Sequence, residues 1–154
     1  MSQLDPFDRA ILRELQRECR QSSELIAVAV ALSPTAVQRR IRRLRESGVI
    51  RAEQAIVEPS AVGRQLSILV QVTLARGRAD IVADFKRQTQ AIPEVQQCYY
   101  VTGDYDFLLI VTATDMADYE RLTHRLFFAN PDIQKFQTVV VIEPVKVGLN
   151  IPIP

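Results

Sequence analysis

Residues 22–48 read SSELIAVAVALSPTAVQRRIRRLRESG, and the spacing of apolar and polar residues in this stretch decides the architecture of the first half of the chain. Ser22 or Ser23 can cap a helix running to about Ala31. That helix is short and apolar, Leu25-Ile26-Ala27-Val28-Ala29-Val30, and is expected to be buried. Ser33-Pro34 is a second start signal, a cap followed by a proline suited to the first helical position. The helix it opens carries Val37, Ile41 and Leu44 on one face and ends near Ser47-Gly48, with Gly48 as the C-cap. Two helices joined by the tight turn Ala31-Leu32-Ser33-Pro34 make a helix-turn-helix. In that motif the second helix buries one stripe to stay rigid and offers its N-terminal polar residues to base edges in the major groove. With Val37, Ile41 and Leu44 inward, Thr35, Gln38, Arg39 and Arg42 project outward. Gln pairs bidentately with adenine and Arg with guanine, whereas Arg43 and Arg45 suit phosphates. The candidate contacts to double-stranded DNA are therefore Ser33, Thr35, Gln38, Arg39, Arg42 and Arg43.

The charge distribution supports this more than the net charge does, which is only +1 over 154 residues. Residues 34–51 hold Arg39, Arg40, Arg42, Arg43, Arg45 and Arg51 against one acid, Glu46, while the chain beyond residue 58 is close to balanced. A run of charge is usually just a solvated helix face; five Arg in seven positions without an acid weigh against that here. One residue departs from the usual pattern. A turn of this kind often needs positive φ and takes Gly where this chain has Ala31. Either the turn is built differently, or the chain absorbs about 1 kcal/mol.

Upstream, Asp5-Pro6-Phe7-Asp8 starts a first helix with Phe7, Ile11 and Leu15 at helical spacing. Residues 1–51 thus read as a three-helix DNA-binding domain. Residues 52–65, with Pro59 and Gly63, read as a linker with room for a short strand at 53–57.

From residue 66 to 154 the period changes. Leu66, Ile68, Val70, Val72 and Leu74 alternate with Ser67, Gln71 and Thr73, as in a strand with one buried face. Ile81, Val82, Phe85, Thr89 and Ile92 fit a helix. Val95–Thr102 and Phe107–Ala113 are rich in β-branched and aromatic residues, and Gly103-Asp104 between them signals a two-residue hairpin. Asp115 can cap a helix bearing Met116, Tyr119, Leu122 and Leu126, and Phe136–Glu143 reads as a last strand. The order βαββαβ is ferredoxin-like, so the fold class is α+β. Two helices cover one sheet face in that arrangement, yet Phe107–Val111 and Val139–Ile142 are apolar on both faces. An open face of that composition is a large apolar patch, and the simplest cover is the same face of a second copy.

Several function classes find little support. The two cysteines, Cys19 and Cys98, suggest reduced thiols rather than a disulfide framework. The acidic start lacks the basic and apolar regions of a signal peptide, and no apolar run is long enough to span a membrane, so a cytoplasmic protein without membrane partners is expected. His124 is the sole histidine, and a surface or packing role suits it best. There is no Cys/His spacing for a metal, no phosphate loop and no nucleophile elbow, so neither catalytic residues, nor a metal, nor a cofactor is expected.

The chain resembles the Lrp/AsnC family, the leucine-responsive or feast/famine regulators, over essentially its whole length. The resemblance is carried by Leu4-Asp5 with Asp8-Arg9-Ala10-Ile11-Leu12, by Leu32-Ser33-Pro34-Thr35 with Arg40-Ile41-Arg42-Arg43-Leu44, by Val101-Thr102-Gly103-Asp104-Tyr105-Asp106, and by Val140-Val141-Ile142-Glu143. It implies a DNA-binding domain followed by an effector domain, in dimers whose sheets pack face to face and which often assemble into octamers. On pattern alone, Gly103-Asp104 is simply hairpin chemistry. The resemblance makes Thr102, Gly103, Asp104, Tyr105 and Asp106 the effector-binding loop, at a contact between dimers. Amides there would hold an amino acid carboxylate, and Asp104 or Asp106 its ammonium. Tyr100 and Thr138 look like neighbours lining that pocket. Two other readings compete. Siroheme decarboxylases resemble the same family, but a tetrapyrrole site should need several histidines. A small amino acid-sensing module without DNA binding would not need the helix-turn-helix.

Overall fold

The computed structural model describes residues 4–75 and 79–154. The chain divides into two compact units, Met1–Ile56 with Lys146–Pro154, and Val57–Val145. The boundary thus falls inside the stretch read as a linker, and the last nine residues group with the helical unit rather than with the sheet. Among the described residues, no helix is long and apolar enough to cross a membrane.

The helical unit contains α1 (Pro6–Arg17), α2 (Ser23–Val30) and α3 (Pro34–Glu46). Each start is fixed by the cap its sequence offers. The Asp5 carboxylate accepts the Asp8 N–H at 2.8 Å, and Asp8 accepts that of Asp5 in return at 3.3 Å. Ser22 accepts from Leu25 and Ser33 from Ala36, each at 3.3 Å. Ile11, Ile26, Ala27, Val30, Val37, Ile41 and Leu44 form the buried core. Ala31 ends α2 in the left-handed region, with φ 55° and ψ 46°. The Leu32 N–H bonds the Ala27 carbonyl at 3.0 Å, so the turn has the geometry that favours Gly and alanine bears its cost. Two expectations need correction. Leu25 and Val28 are 62% and 84% exposed, so α2 buries one stripe instead of its whole surface. Phe7 also leaves the core stripe and lies under the Arg40 guanidinium, 5.5 Å from the ring centre.

The second unit opens with a 3₁₀ turn at Pro59–Val62 and continues β1 (Leu66–Leu74), α4 (Ala79–Gln90), β2 (Val95–Tyr100), β3 (Phe107–Ala113), α5 (Met116–Thr123) and β4 (Ile133–Val140). Residues 53–57 carry no strand, because no described strand pairs with them. α5 runs into a π turn over His124–Phe128. The sheet order is β2-β3-β1-β4, with every neighbouring pair antiparallel. Ile68, Val70, Val72 and Leu74 pack with Phe107, Leu109 and Val111 against Phe85 of α4 and Tyr119 and Leu122 of α5. On the opposite face Leu69 sits between Ile110 and Val139, and Tyr99 opposite Leu108. Among the described residues no helix of this unit covers that face, and Val139 and Tyr99 are 43% and 47% exposed.

Two strand boundaries differ from the sequence reading. β4 begins at Ile133, not Phe136, and closes at Val140, with one further bond from the Val141 N–H to the Ser67 carbonyl at 2.9 Å. Its bounds follow the length of β1, its partner, and the polar start Gln134-Lys135 hides the strand from a hydrophobicity pattern. β2 stops at Tyr100, opposite Phe107, and the Val101 N–H reaches the Asp106 carbonyl at 2.9 Å. Within that closing bond the loop is Thr102–Tyr105, four residues instead of two, with Gly103 at φ 133°.

Candidate functional site

Helix α3 presents three faces, and its arginines divide among them. Val37, Ile41 and Leu44 are buried. One step around the helix, Arg40 and Arg43 turn toward the start of α1. Arg40 Nη1 bonds Asp5 at 2.6 Å and Asp8 at 2.8 Å, and Arg43 Nη2 takes the second Asp8 oxygen at 2.5 Å. Asp8 is 1% exposed, so its charge is tolerated only because both guanidiniums meet it. The Asp8 N–H and then Arg40 hold the Asp5 carboxyl below its ordinary range, and the same acids push Arg40 up. Arg45 pairs with Glu53 at 2.8 Å. The third face carries Thr35, Gln38, Arg39 and Arg42, all exposed. Arg39 and Arg42 have no partner among the described residues. Ser33 sits at the head of α3, its hydroxyl engaged as the cap. Among the described residues, the five arginines that look equivalent in sequence are two clamps, one partner of a neighbouring acid and two cations without a partner.

The acids that make this division were not read as functional. The signal was present, since Asp5 and Asp8 stand three apart at a helix start, as Arg40 and Arg43 do on α3.

In the sheet unit, the ends of β1 and β2 and the starts of β3 and β4 lie at one end of the sheet, as an antiparallel 2-3-1-4 order requires. They frame a cavity of about 630 Å³ lined by Tyr100, Gly103, Asp104, Tyr105 and Asp106, with Leu74 and Val82 among its other walls. Asp106 is fixed from three sides: its N–H bonds the Val72 carbonyl, its carbonyl accepts from Val101, and its Oδ2 accepts the Leu74 N–H at 2.7 Å. The main-chain N–H groups of Thr102, Gly103, Asp104 and Tyr105 make no hydrogen bond among the described residues. Tyr100 leans on Phe107, with ring centres 5.0 Å apart, and Lys86 Nζ lies 4.7 Å from its ring centre.

Five of the seven residues expected at the effector site thus come together. Thr102 is exposed on the loop but does not line the cavity. Thr138 lies on the helix-covered face, opposite Val70, where its hydroxyl hydrogen bonds that of Tyr119 at 2.6 Å. Thr73, Ala75, Ala79, Gln134 and Lys135 also line the cavity and were missed. They stand more than 20 residues from the loop, and only the strand order joins them to it.

Elsewhere, His124 is exposed and packs on Phe128, ring centres 5.0 Å apart. Cys19 is exposed, and burial pushes the Cys98 thiol up. Among the described residues, no group of His, Cys, Asp and Glu could hold a metal ion.

Comparison with known proteins connects both halves. Residues 4–51 match the sequence profile of winged helix-turn-helix DNA-binding domains, and residues 67–151 that of the Lrp/AsnC ligand binding domain. An uncharacterized HTH-type transcriptional regulator of Sinorhizobium fredii is 51% identical over 151 residues, covering 98% of this chain and 89% of the relative. The leucine-responsive regulatory protein of Haemophilus influenzae is 38% identical over 143 residues, 93% of this chain and 86% of that protein. The crystal structure of a transcriptional regulator in complex with L-Met from Neisseria meningitidis superposes with a TM-score of 0.90 at 29% identity, covering 97% of each chain.

Proposed function

This chain belongs to the Lrp/AsnC family of helix-turn-helix transcription regulators, and from that premise we propose that it binds specific DNA sites and adjusts that binding to an α-amino acid. The observation that carries the DNA half is the unpartnered outer face of α3. Thr35, Gln38, Arg39 and Arg42 stand at i, i+3, i+4 and i+7, the spacing of one exposed helical stripe. Gln38 and Arg39 read bases, Ser33 and Thr35 fit the helix to the groove, and Arg42 reaches bases or the adjoining backbone. Arg43, half exposed while it holds Asp8, contributes to phosphate contact.

The effector half rests on the cavity at this end of the sheet. Four unbonded amides along Thr102–Tyr105 suit a carboxylate. Asp104 and the remaining oxygen of Asp106 suit an ammonium group. Tyr100, Leu74 and Val82 offer apolar contact to a side chain. The Neisseria regulator's complex with L-Met supports this ligand class without naming the amino acid for this chain. The bare sheet face supports a dimer, and a ligand bound where dimers meet would favour one assembly over another, with a coupling of about 1–3 kcal/mol. Such a protein works in the cytoplasm, as a regulator and not as an enzyme.

A thermal-shift screen of the common amino acids tests the effector. At least one should raise the melting temperature of the wild type, and Asp104→Ala and Gly103→Val should blunt the response. Valine at 103 would be forced to φ 133°, which side chains rarely adopt. If no amino acid acts on the wild type, the ligand class is wrong. If one acts and both variants respond in full, the site is wrong.

A further inference from the structure

Lys146–Pro154 follow the last strand of the sheet unit in sequence, yet their contacts group them with the helical unit. The attachment is specific. Gln16, in the last turn of α1, takes residue 151 by both of its main-chain groups: Nε2 donates to the Ile151 carbonyl at 2.9 Å, and Oε1 accepts the Ile151 N–H at 2.8 Å. The Gln16 carbonyl accepts from Asn150 Nδ2 at 3.3 Å. One turn earlier, Arg13 donates to the carbonyls of Ile153 and Pro154 at 3.5 and 3.3 Å. Pro154 closes a hollow of about 360 Å³ formed with Leu4, Pro6, Arg9 and Arg13.

A side-chain amide that pairs with both main-chain groups of one residue acts as a one-residue strand. It can do so only on an extended partner whose N–H is free. The sequence Ile151-Pro152-Ile153-Pro154 supplies such a partner. Each proline fixes φ and narrows the unfolded ensemble, so less entropy is lost when the segment seats.

We propose that this face of α1 is a docking surface for the chain's own C-terminal segment, and that DNA binding depends on the segment being seated. The second half rests on the DNA-binding reading of α3. The helical unit has a small core, and small units need additional ties. The start of α1, with its cap Asp5 and with Asp8, holds Arg40 and Arg43 of α3, so steadying α1 steadies the helix proposed to face DNA.

Two single variants of the full chain test this. Gln16→Ala removes the grip and leaves a good helix former on the surface of α1. Ile151→Pro removes the donated N–H. Each should weaken binding to duplex DNA by about three- to tenfold, as the loss of one or two hydrogen bonds implies. The double variant should be no weaker than either single one, because both break the same contact. Amide exchange provides a reading independent of DNA: the Ile151 N–H should exchange slowly in the wild type and fast in Gln16→Ala. Unchanged DNA affinity in both variants overturns the functional dependence, and fast Ile151 exchange in the wild type overturns the docking. A wild type that ignores duplex DNA defeats the DNA reading and the dependence together, while slow Ile151 exchange would still uphold the docking.

Discussion

At the scale of single residues, Asp8 governs the helical unit more than any arginine it touches. Its carboxylate is buried and shared between Arg40 and Arg43. Removing one partner of a buried ionic cluster costs about 3–5 kcal/mol. Arg43 is 53% exposed and can recover hydration, so Asp8→Asn should fall near the lower end. Chemical denaturation followed by far-UV circular dichroism should show the helical unit unfolding first in that variant. Ala31 makes the opposite case, since it occupies a left-handed position that glycine fills without strain. Ala31→Gly should stabilise the helical unit by about 1 kcal/mol, and a fall in its midpoint would contradict the account of the turn. Asp5 adds a pH dependence. Its folded pKa is depressed, chiefly by the Asp8 N–H and then by Arg40. Its contribution is therefore complete above the ordinary aspartate range and is lost as pH falls through and below about 4. Denaturation midpoints between pH 6 and pH 3 should fall less in Asp5→Asn than in the wild type.

At the scale of elements, the sequence made the helix starts plain because caps and first-position prolines are local chemistry. The same is true of the alternation in β1, which reports one buried face directly. What stayed hidden depends on partners. The bounds of β4 follow β1, the 53–57 stretch has nothing to pair with, and Leu25 and Val28 are apolar without being buried. The candidate sites divide the same way. Thr35, Gln38, Arg39 and Arg42 follow from helical spacing, whereas the cavity walls at Thr73, Ala79 and Lys135 follow from strand order. The uncovered sheet face yields the prediction for this scale. Leu69 lies at its centre between Ile110 and Val139. Sedimentation should find the wild type as a dimer or larger, and Leu69→Asp shifted toward the 17.4 kDa monomer or unfolded. A wild type that is monomeric at micromolar concentration would show that the face has some other cover.

At the scale of the whole molecule, the helix proposed to face DNA and the cavity proposed to hold an amino acid belong to separate compact units of one chain. The arrangement suits control by assembly, in which a small ligand changes which copies stand together and hence which DNA half-sites can be held at once. All of this depends on α3 meeting DNA through the stripe that the ion pairs leave open. Fluorescence anisotropy with labelled duplex DNA at low salt, comparing the wild type with the double variant Arg39→Ala, Arg42→Ala, addresses that directly. Both positions are exposed and lack partners among the described residues, so the variant should keep its fold. The wild type should bind with an affinity that falls steeply as salt is raised, and the variant should bind at least tenfold more weakly, with a shallower salt dependence. Equal affinity and equal salt dependence in the two proteins would contradict the assignment of α3 as the helix that grips DNA.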